Sequence, residues 1–167
     1  MSTTTSTATG VREPVTLNVN GRSWTTSAGP RATLLEVLRR ELRLFGAREG
    51  CGVGMCGACT VLADGLPVSS CLLPALLASD RAIVTVEGLA APDGGLHPVQ
   101  QAFVDHNAFQ CSYCTPGFVL MTAGLLDEDP DASDEHIREQ LSGNLCRCGC
   151  YREIVAAAIT ARERLDA

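Results

Sequence analysis

Nine cysteines in a chain of 167 residues, eight of them in two sets of four, limit what this sequence can fold into more than any other feature. The first set is Cys51, Cys56 and Cys59 within REGCGVGMCGAC, completed by Cys71, with four, two and eleven residues between successive members. That spacing matches the plant-type iron–sulfur loop, CxxxxCxxC with a later cysteine. Four thiolates around two irons and two sulfides carry net negative charge, and burying that charge calls for hydrogen-bond donors. Backbone N–H groups can wrap the sulfurs only where side chains are small and positive φ is accessible. Gly50, Gly52, Gly54, Gly57 and Ala58 supply such a loop. Four thiolates also suit tetrahedral zinc, but zinc sites favour paired CxxC knuckles and this set has one CxxC. A Rieske centre needs two His ligands, and no His lies near these cysteines.

The second set is Cys111 and Cys114 in FQCSYCTPG with Cys146 and Cys148 in NLCRC, 31 residues separating the pairs. Cys114 precedes Thr115-Pro116, a helix start, so its sulfur is expected at a positive helix N-terminus that favours a thiolate and an anionic cluster. The CRC pair stands just ahead of another expected helix. On these residues alone, CxxC with CxC leaves zinc a serious rival at the second site.

The chain between the cysteines divides by period. Val15, Leu17 and Val19 alternate with polar residues, Asn20-Gly21 supplies a hairpin turn, and 23–26 runs back. Thr33 to Glu36 reads as a capping box opening a helix with Leu34, Leu35, Leu38 and Leu42 inward, ended by Phe45-Gly46. Strands are expected over 58–63, 66–69 and 81–87. Hairpin, helix, cysteine loop, hairpin and strand are the parts of a β-grasp sheet. After GLAAPDGG, a linker, only helix signals remain. His97-Pro98 begins one helix, Thr115-Pro116 a central one apolar on nearly all sides, Ser133 caps a third, and 151–165 makes a fourth. The expected class is therefore α+β. A tail over 1–13 precedes a β-grasp plant-type ferredoxin domain over 14–88, and a four-helix-bundle domain carrying the second cysteine set follows over 89–167.

The N-terminus lacks a positive cluster followed by an apolar run, and no stretch approaches the ~20 apolar residues of a membrane span. The expected setting is the reducing cytoplasm, where dense cysteine points to metal ligation or redox chemistry rather than disulfides. Nineteen acidic against 13 basic residues, net -6, weigh against a nucleic-acid surface. No nucleophile motif, phosphate loop or dinucleotide fingerprint appears, so the chain alone is not expected to turn over a substrate. His97, His106 and His136 have no ligand spacing and read as caps or surface residues. Arg48 and Arg147, which flank cysteines, read as solvated.

The stretches TLLEVLRRELRLFGAREGCGVGMCGACTVLADG, SCLLPAL, QCSYCTPGFVLM and GNLCRCGCYREIVAA together resemble the small iron–sulfur subunit of the molybdenum hydroxylases, the group of xanthine dehydrogenase, aldehyde oxidoreductase and aerobic carbon monoxide dehydrogenase. The resemblance covers about residues 15–161. It implies two [2Fe-2S] clusters, one on Cys51, Cys56, Cys59 and Cys71 towards flavin, the other on Cys111, Cys114, Cys146 and Cys148 nearest the molybdenum cofactor. It also implies that Gln110 approaches the pterin of a molybdopterin-type cofactor on a large partner subunit, and that FAD sits on a medium subunit, in a heterotrimer or a dimer of heterotrimers. No flavin or molybdenum domain follows the fourth helix, so these partners are expected as separate polypeptides.

Two positions depart from the family's pattern. Gly149-Cys150-Tyr151 stands where Thr-Gly-Tyr or similar is usual, and Cys150 reads as a buried or half-buried free thiol rather than a substitute for Cys148. Met55 stands where a polar residue is frequent and would make the cluster surroundings more apolar. The competing function is a free-standing two-cluster ferredoxin that docks transiently, which would be polar all round.

Overall fold

The computed structural model describes residues 12–165. The expected tail lies outside the described residues as far as residue 11, and Glu13 already belongs to the first strand, β1 (Glu13–Val19). β1 turns at Asn20 and Gly21, both at positive φ, and pairs antiparallel with β2 (Arg22–Ala28). α1 (Leu34–Arg40) crosses the sheet with Leu34, Leu35, Val37 and Leu38 buried. β3 (Thr60–Ala63) and β4 (Leu66–Ser69) form the second hairpin, and β5 (Ala82–Val84) lies between β1, to which it is parallel, and β3. The sheet order β2-β1-β5-β3-β4 is that of the β-grasp arrangement expected from the sequence.

Four helices follow: α2 (Pro98–Asp105), α3 (Thr115–Glu128), α4 (Asp134–Leu141) and α5 (Tyr151–Leu165). One apolar core lies under α1 and the sheet; the other lies among the four helices. α3 is the central helix, and its Gly124 faces Leu62 of β3 and Pro67 of β4, where an added Cβ would come within 2.9 Å of each. The second domain is thereby seated on the sheet end of the first.

The capping box at Thr33 is present in both directions. Thr33 Oγ1 accepts from the Glu36 N–H at 3.2 Å and Glu36 Oε2 accepts from the Thr33 N–H at 3.0 Å. Replacing Thr33 by Ala is expected to cost about 1 kcal/mol, read as a lower midpoint in chemical denaturation; an unchanged midpoint would show the box to be dispensable.

Three boundaries differ from expectation. α1 stops at Arg40 rather than at Phe45-Gly46, because Arg43 turns to φ +59 and the Leu44 N–H bonds back to the Leu38 carbonyl at 2.9 Å. The strand expected from residue 58 starts at Thr60, since the Ala58 carbonyl is taken by the Arg48 N–H at 2.9 Å. The closing strand ends at Val84 because the Thr85 N–H donates to Asn20 Oδ1 at 2.9 Å and so leaves the ladder; Val86–Gly88 then forms a 3-10 turn. A second 3-10 turn, Ala75–Ala78, buries Ala75 and Ala78 and has no counterpart among the expected elements.

Candidate metal centres

The loop between α1 and β3 is shaped by Gly52, Gly54 and Gly57, at φ +68°, +75° and +69°. These conformations turn the backbone N–H groups inward onto sulfur. The N–H groups of Val53 and Met55 point at Cys51 Sγ at 3.4 and 3.3 Å, and that of Cys51 at Cys56 Sγ at 3.4 Å. A Cβ at Gly50 would sit 2.7 Å from Cys56 Sγ, so no larger residue fits beside that thiol. Cys59 ends this loop at the edge of β3 and Cys71 follows β4; both are buried, whereas Cys51 is exposed.

All nine cysteines are free thiols. Within the first set, Cys51 lies beside Cys56 and Cys59 beside Cys71, with Cys51 close enough to act on Cys71 as well. In the second set, Cys111 lies beside Cys148, and Cys146 beside both Cys114 and the ninth cysteine, Cys150. Among the described residues no three His, Cys, Asp or Glu side chains converge on one point fit for a single ion. A tetrahedral zinc needs all four sulfurs about 2.3 Å from one centre, whereas two sulfide-bridged irons need two pairs. At the first site the neighbouring thiols, the N–H groups aimed at sulfur and the tight glycine wall fit a binuclear cluster; at the second the neighbouring thiols fit one, with the Tyr113 N–H facing Cys111.

Local environment separates the thiols. The Val53 N–H holds the Cys51 thiol down to about 7 against the pull of its partial desolvation, while burial, with the Cys59 thiol, pushes Cys71 up to about 11. Cys114 is the N-cap residue of α3, as its sequence position requires. Its thiol is nonetheless pushed up to about 12, by burial first and then by Cys146, so desolvation outweighs the helix N-terminus there. Cys111 is exposed and its thiol is lowered chiefly by the Tyr113 N–H.

The two sets meet. A cavity of about 400 Å³ has Cys56 on one wall and Cys111, Cys114 and Cys146 on the other. The Leu145 N–H donates to the Cys56 carbonyl at 3.0 Å, one residue ahead of Cys146. Beside it, buried Asn144 reaches the Gly57 carbonyl with Nδ2 at 3.4 Å. Gly117 of α3 faces that same carbonyl, and a Cβ there would lie 2.2 Å from it. These contacts escape a motif reading because they join residues as far apart as Asn144 and Gly57, 87 positions, and Leu145 and Cys56, farther still; the nearest sequence signal is Gly117 and Gly124, two glycines on one helix face.

Gln110 is exposed, immediately ahead of exposed Cys111. Met55 is 72% exposed, so its thioether projects outward and only its N–H serves the loop, contrary to an apolar lining role. Cys150 is a buried free thiol beside Cys146. Arg147 is exposed as expected, but Arg48 is half-buried and engaged. His97 caps α2, accepting from the Val99 N–H at 3.3 Å, and His106 bonds Thr160 at 2.8 Å.

Comparison with known proteins agrees with this geometry. Residues 17–83 match the family model of the 2Fe-2S iron-sulfur cluster binding domain, and residues 85–159 that of the [2Fe-2S] binding domain. A nicotinate dehydrogenase subunit of Pseudomonas putida is 49% identical over 152 residues, covering 89% of this chain and 94% of that one. A probable xanthine dehydrogenase subunit of Bacillus subtilis is 40% identical over 155 residues, 93% of this chain and 88% of that one. The crystal structure of the aldehyde oxidoreductase from Desulfovibrio desulfuricans superimposes with a TM-score of 0.86 at 41% identity over 92% of this chain, which spans 17% of that longer chain.

Proposed function

The chain belongs to the small [2Fe-2S] iron–sulfur subunits of the molybdenum hydroxylases, and from that membership we propose that it carries electrons from a molybdopterin-type cofactor on a large partner subunit to FAD on a medium one. It is an electron-transfer subunit of an oxidoreductase, with two [2Fe-2S] sites. Cys51, Cys56, Cys59 and Cys71 would hold one cluster, and Cys111, Cys114, Cys146 and Cys148 the other. Bound there, the clusters supply one-electron redox chemistry. The chain's own residues hold the thiolates, aim the N–H groups of Cys51, Val53 and Met55 at sulfur, exclude water from Cys59 and Cys71, and join the sites through Leu145 and Cys56.

The observation that carries this reading is that each site has one face open and one face joined to the other. Exposed Cys51 is accompanied by exposed Val53, Met55 and Leu72; exposed Cys111 is accompanied by Tyr113, Leu145 and Tyr151. Apolar side chains at both outlets are what a partner-covered chain presents, and a shuttle docking transiently is expected to be polar there. The first face is assigned to the partner that holds flavin. The second, with Gln110, is assigned to the partner that holds molybdenum. No helix among the described residues is long and apolar enough to cross a membrane; a cytoplasmic location is part of the proposal.

Purification from the native cells under mild conditions tests the assignment. The expected result is co-purification with molybdenum and flavin, and roughly four irons with four acid-labile sulfides per chain. A lone monomer free of both would sink the subunit reading, and a colourless protein with stoichiometric zinc would sink the cluster reading.

A further inference from the structure

Arg48 stands three residues ahead of Cys51, where a solvated side chain is the ordinary expectation. Instead it is half-buried and reaches the other site: its Nη1 donates to the carbonyl of Ser112, between Cys111 and Cys114. The guanidinium carbon lies 5.4 Å from the centroid of the Tyr113 ring, within cation–π reach. Tyr113 closes the lock from its own side, its hydroxyl donating to the Glu49 carbonyl at 2.7 Å. Ser112 is held at φ +61, a strained conformation for a residue with a side chain, and its carbonyl is the one Arg48 captures. The described ion pairs use Arg12, Arg40, Arg162 and Arg164, so among the described residues no carboxylate is in ion-pair contact with Arg48.

We propose that Arg48 is a positioning residue for electron transfer: a cation locked between the two cysteine loops that holds the Cys111–Cys114 turn and raises the electron affinity of the helical-domain cluster. The inference rests on the two-cluster reading above. Adding an electron to an anionic centre is favoured by a fixed positive charge, the more so where water is partly excluded. Guanidinium does not release its proton in proteins, so the charge is permanent, and its planar fork fixes direction as well as charge. The guanidinium's contacts belong to the Cys111–Cys114 turn, through the Ser112 carbonyl and the Tyr113 ring. The effect is accordingly larger at the second site.

The test is a redox titration of the intact complex, following each reduced-cluster signal by electron paramagnetic resonance, for wild type, Arg48→Gln, Arg48→Lys and Tyr113→Phe. Arg48→Gln is expected to lower the electron affinity of the helical-domain cluster about tenfold, roughly 59 mV for a one-electron couple, with a smaller fall at the other site. Arg48→Lys keeps the charge and is expected to recover most of the loss. Tyr113→Phe keeps both ring and charge, and a fall there as large as in Arg48→Gln would make the effect one of loop structure and overturn the proposal. Both potentials unmoved in Arg48→Gln, or Arg48→Lys falling as far as Arg48→Gln, would overturn it as well. Should Arg48→Gln fail to retain a cluster, Arg48→Lys decides: a potential near wild type supports the role of charge, and a tenfold fall refutes it. Wild-type protein without two [2Fe-2S] signals would instead refute the reading on which the proposal rests.

Discussion

Changing Cys114 to Ser is expected to remove or degrade one of two reduced-cluster resonance signals while the other persists, with iron falling from roughly four per chain to roughly two. Cys114 is half-buried at the start of α3 and lies beside Cys146, whereas the Cys51 set is built from a different loop and carries its own N–H donors. Losing a ligand at the second site therefore leaves the first site's thiols and donors in place. Electron flow through the complex should drop by more than the roughly 10- to 100-fold typical of losing a residue that merely supports a ligand. The signals are read by electron paramagnetic resonance on dithionite-reduced protein, and turnover is read with the complex's own substrate. If both signals vanished while circular dichroism showed a folded chain, the two sites would not be independent and the division into two thiol sets would be wrong.

What the sequence made legible was what is local in the chain. Asn20-Gly21 fixes a hairpin turn because both residues tolerate positive φ, Thr33 and Glu36 define a helix start because they satisfy each other's backbone, and the CxxxxCxxC spacing is a property of one loop. Two misplaced boundaries come from bonds to residues outside the element, whereas α1 ends early on a local one, the Leu44 N–H to the Leu38 carbonyl. Asn20 withdraws Thr85 from the sheet across 65 positions, and Arg48 recruits Ala58 into the cysteine loop rather than into β3. The site was legible in its cysteines and illegible in its joint. Nothing in REGCG announces that Arg48 seeks the Ser112 carbonyl 64 residues on, and nothing in GNLCRC announces that Asn144 and Leu145 bond to Gly57 and Cys56. Pairing within the sets was equally hidden, because spacing names ligands without saying which thiols face each other.

That joint makes Gly117→Ala the most informative change away from the cysteines. In an isolated helix the substitution would favour folding by about 1 kcal/mol. Here the new Cβ would meet the Gly57 carbonyl oxygen at 2.2 Å, with Asn144 Nδ2 at 3.3 Å behind it. The obstructing atom is backbone, pinned by Thr60 Oγ1 at 2.8 Å and by Asn144, so it cannot swing aside as a side chain would. Either α3 moves outward or the cysteine loop does, and overpacking of this kind costs about 1–3 kcal/mol. The overlap wins over helix propensity, and the expected outcome is a net loss of stability in thermal and denaturant unfolding. The displacement should also stretch the Leu145 to Cys56 hydrogen bond and weaken the magnetic interaction between the two reduced clusters, while each cluster's own signal survives. Gly143→Ala is the matched control, since its nearest neighbour would be the Gln140 carbonyl at 3.7 Å and its φ lies outside the left-handed region. Equal stabilities for the two variants, with an unaltered interaction between the clusters, would show that the contact of Gly117 with Gly57 does not set how the domains sit.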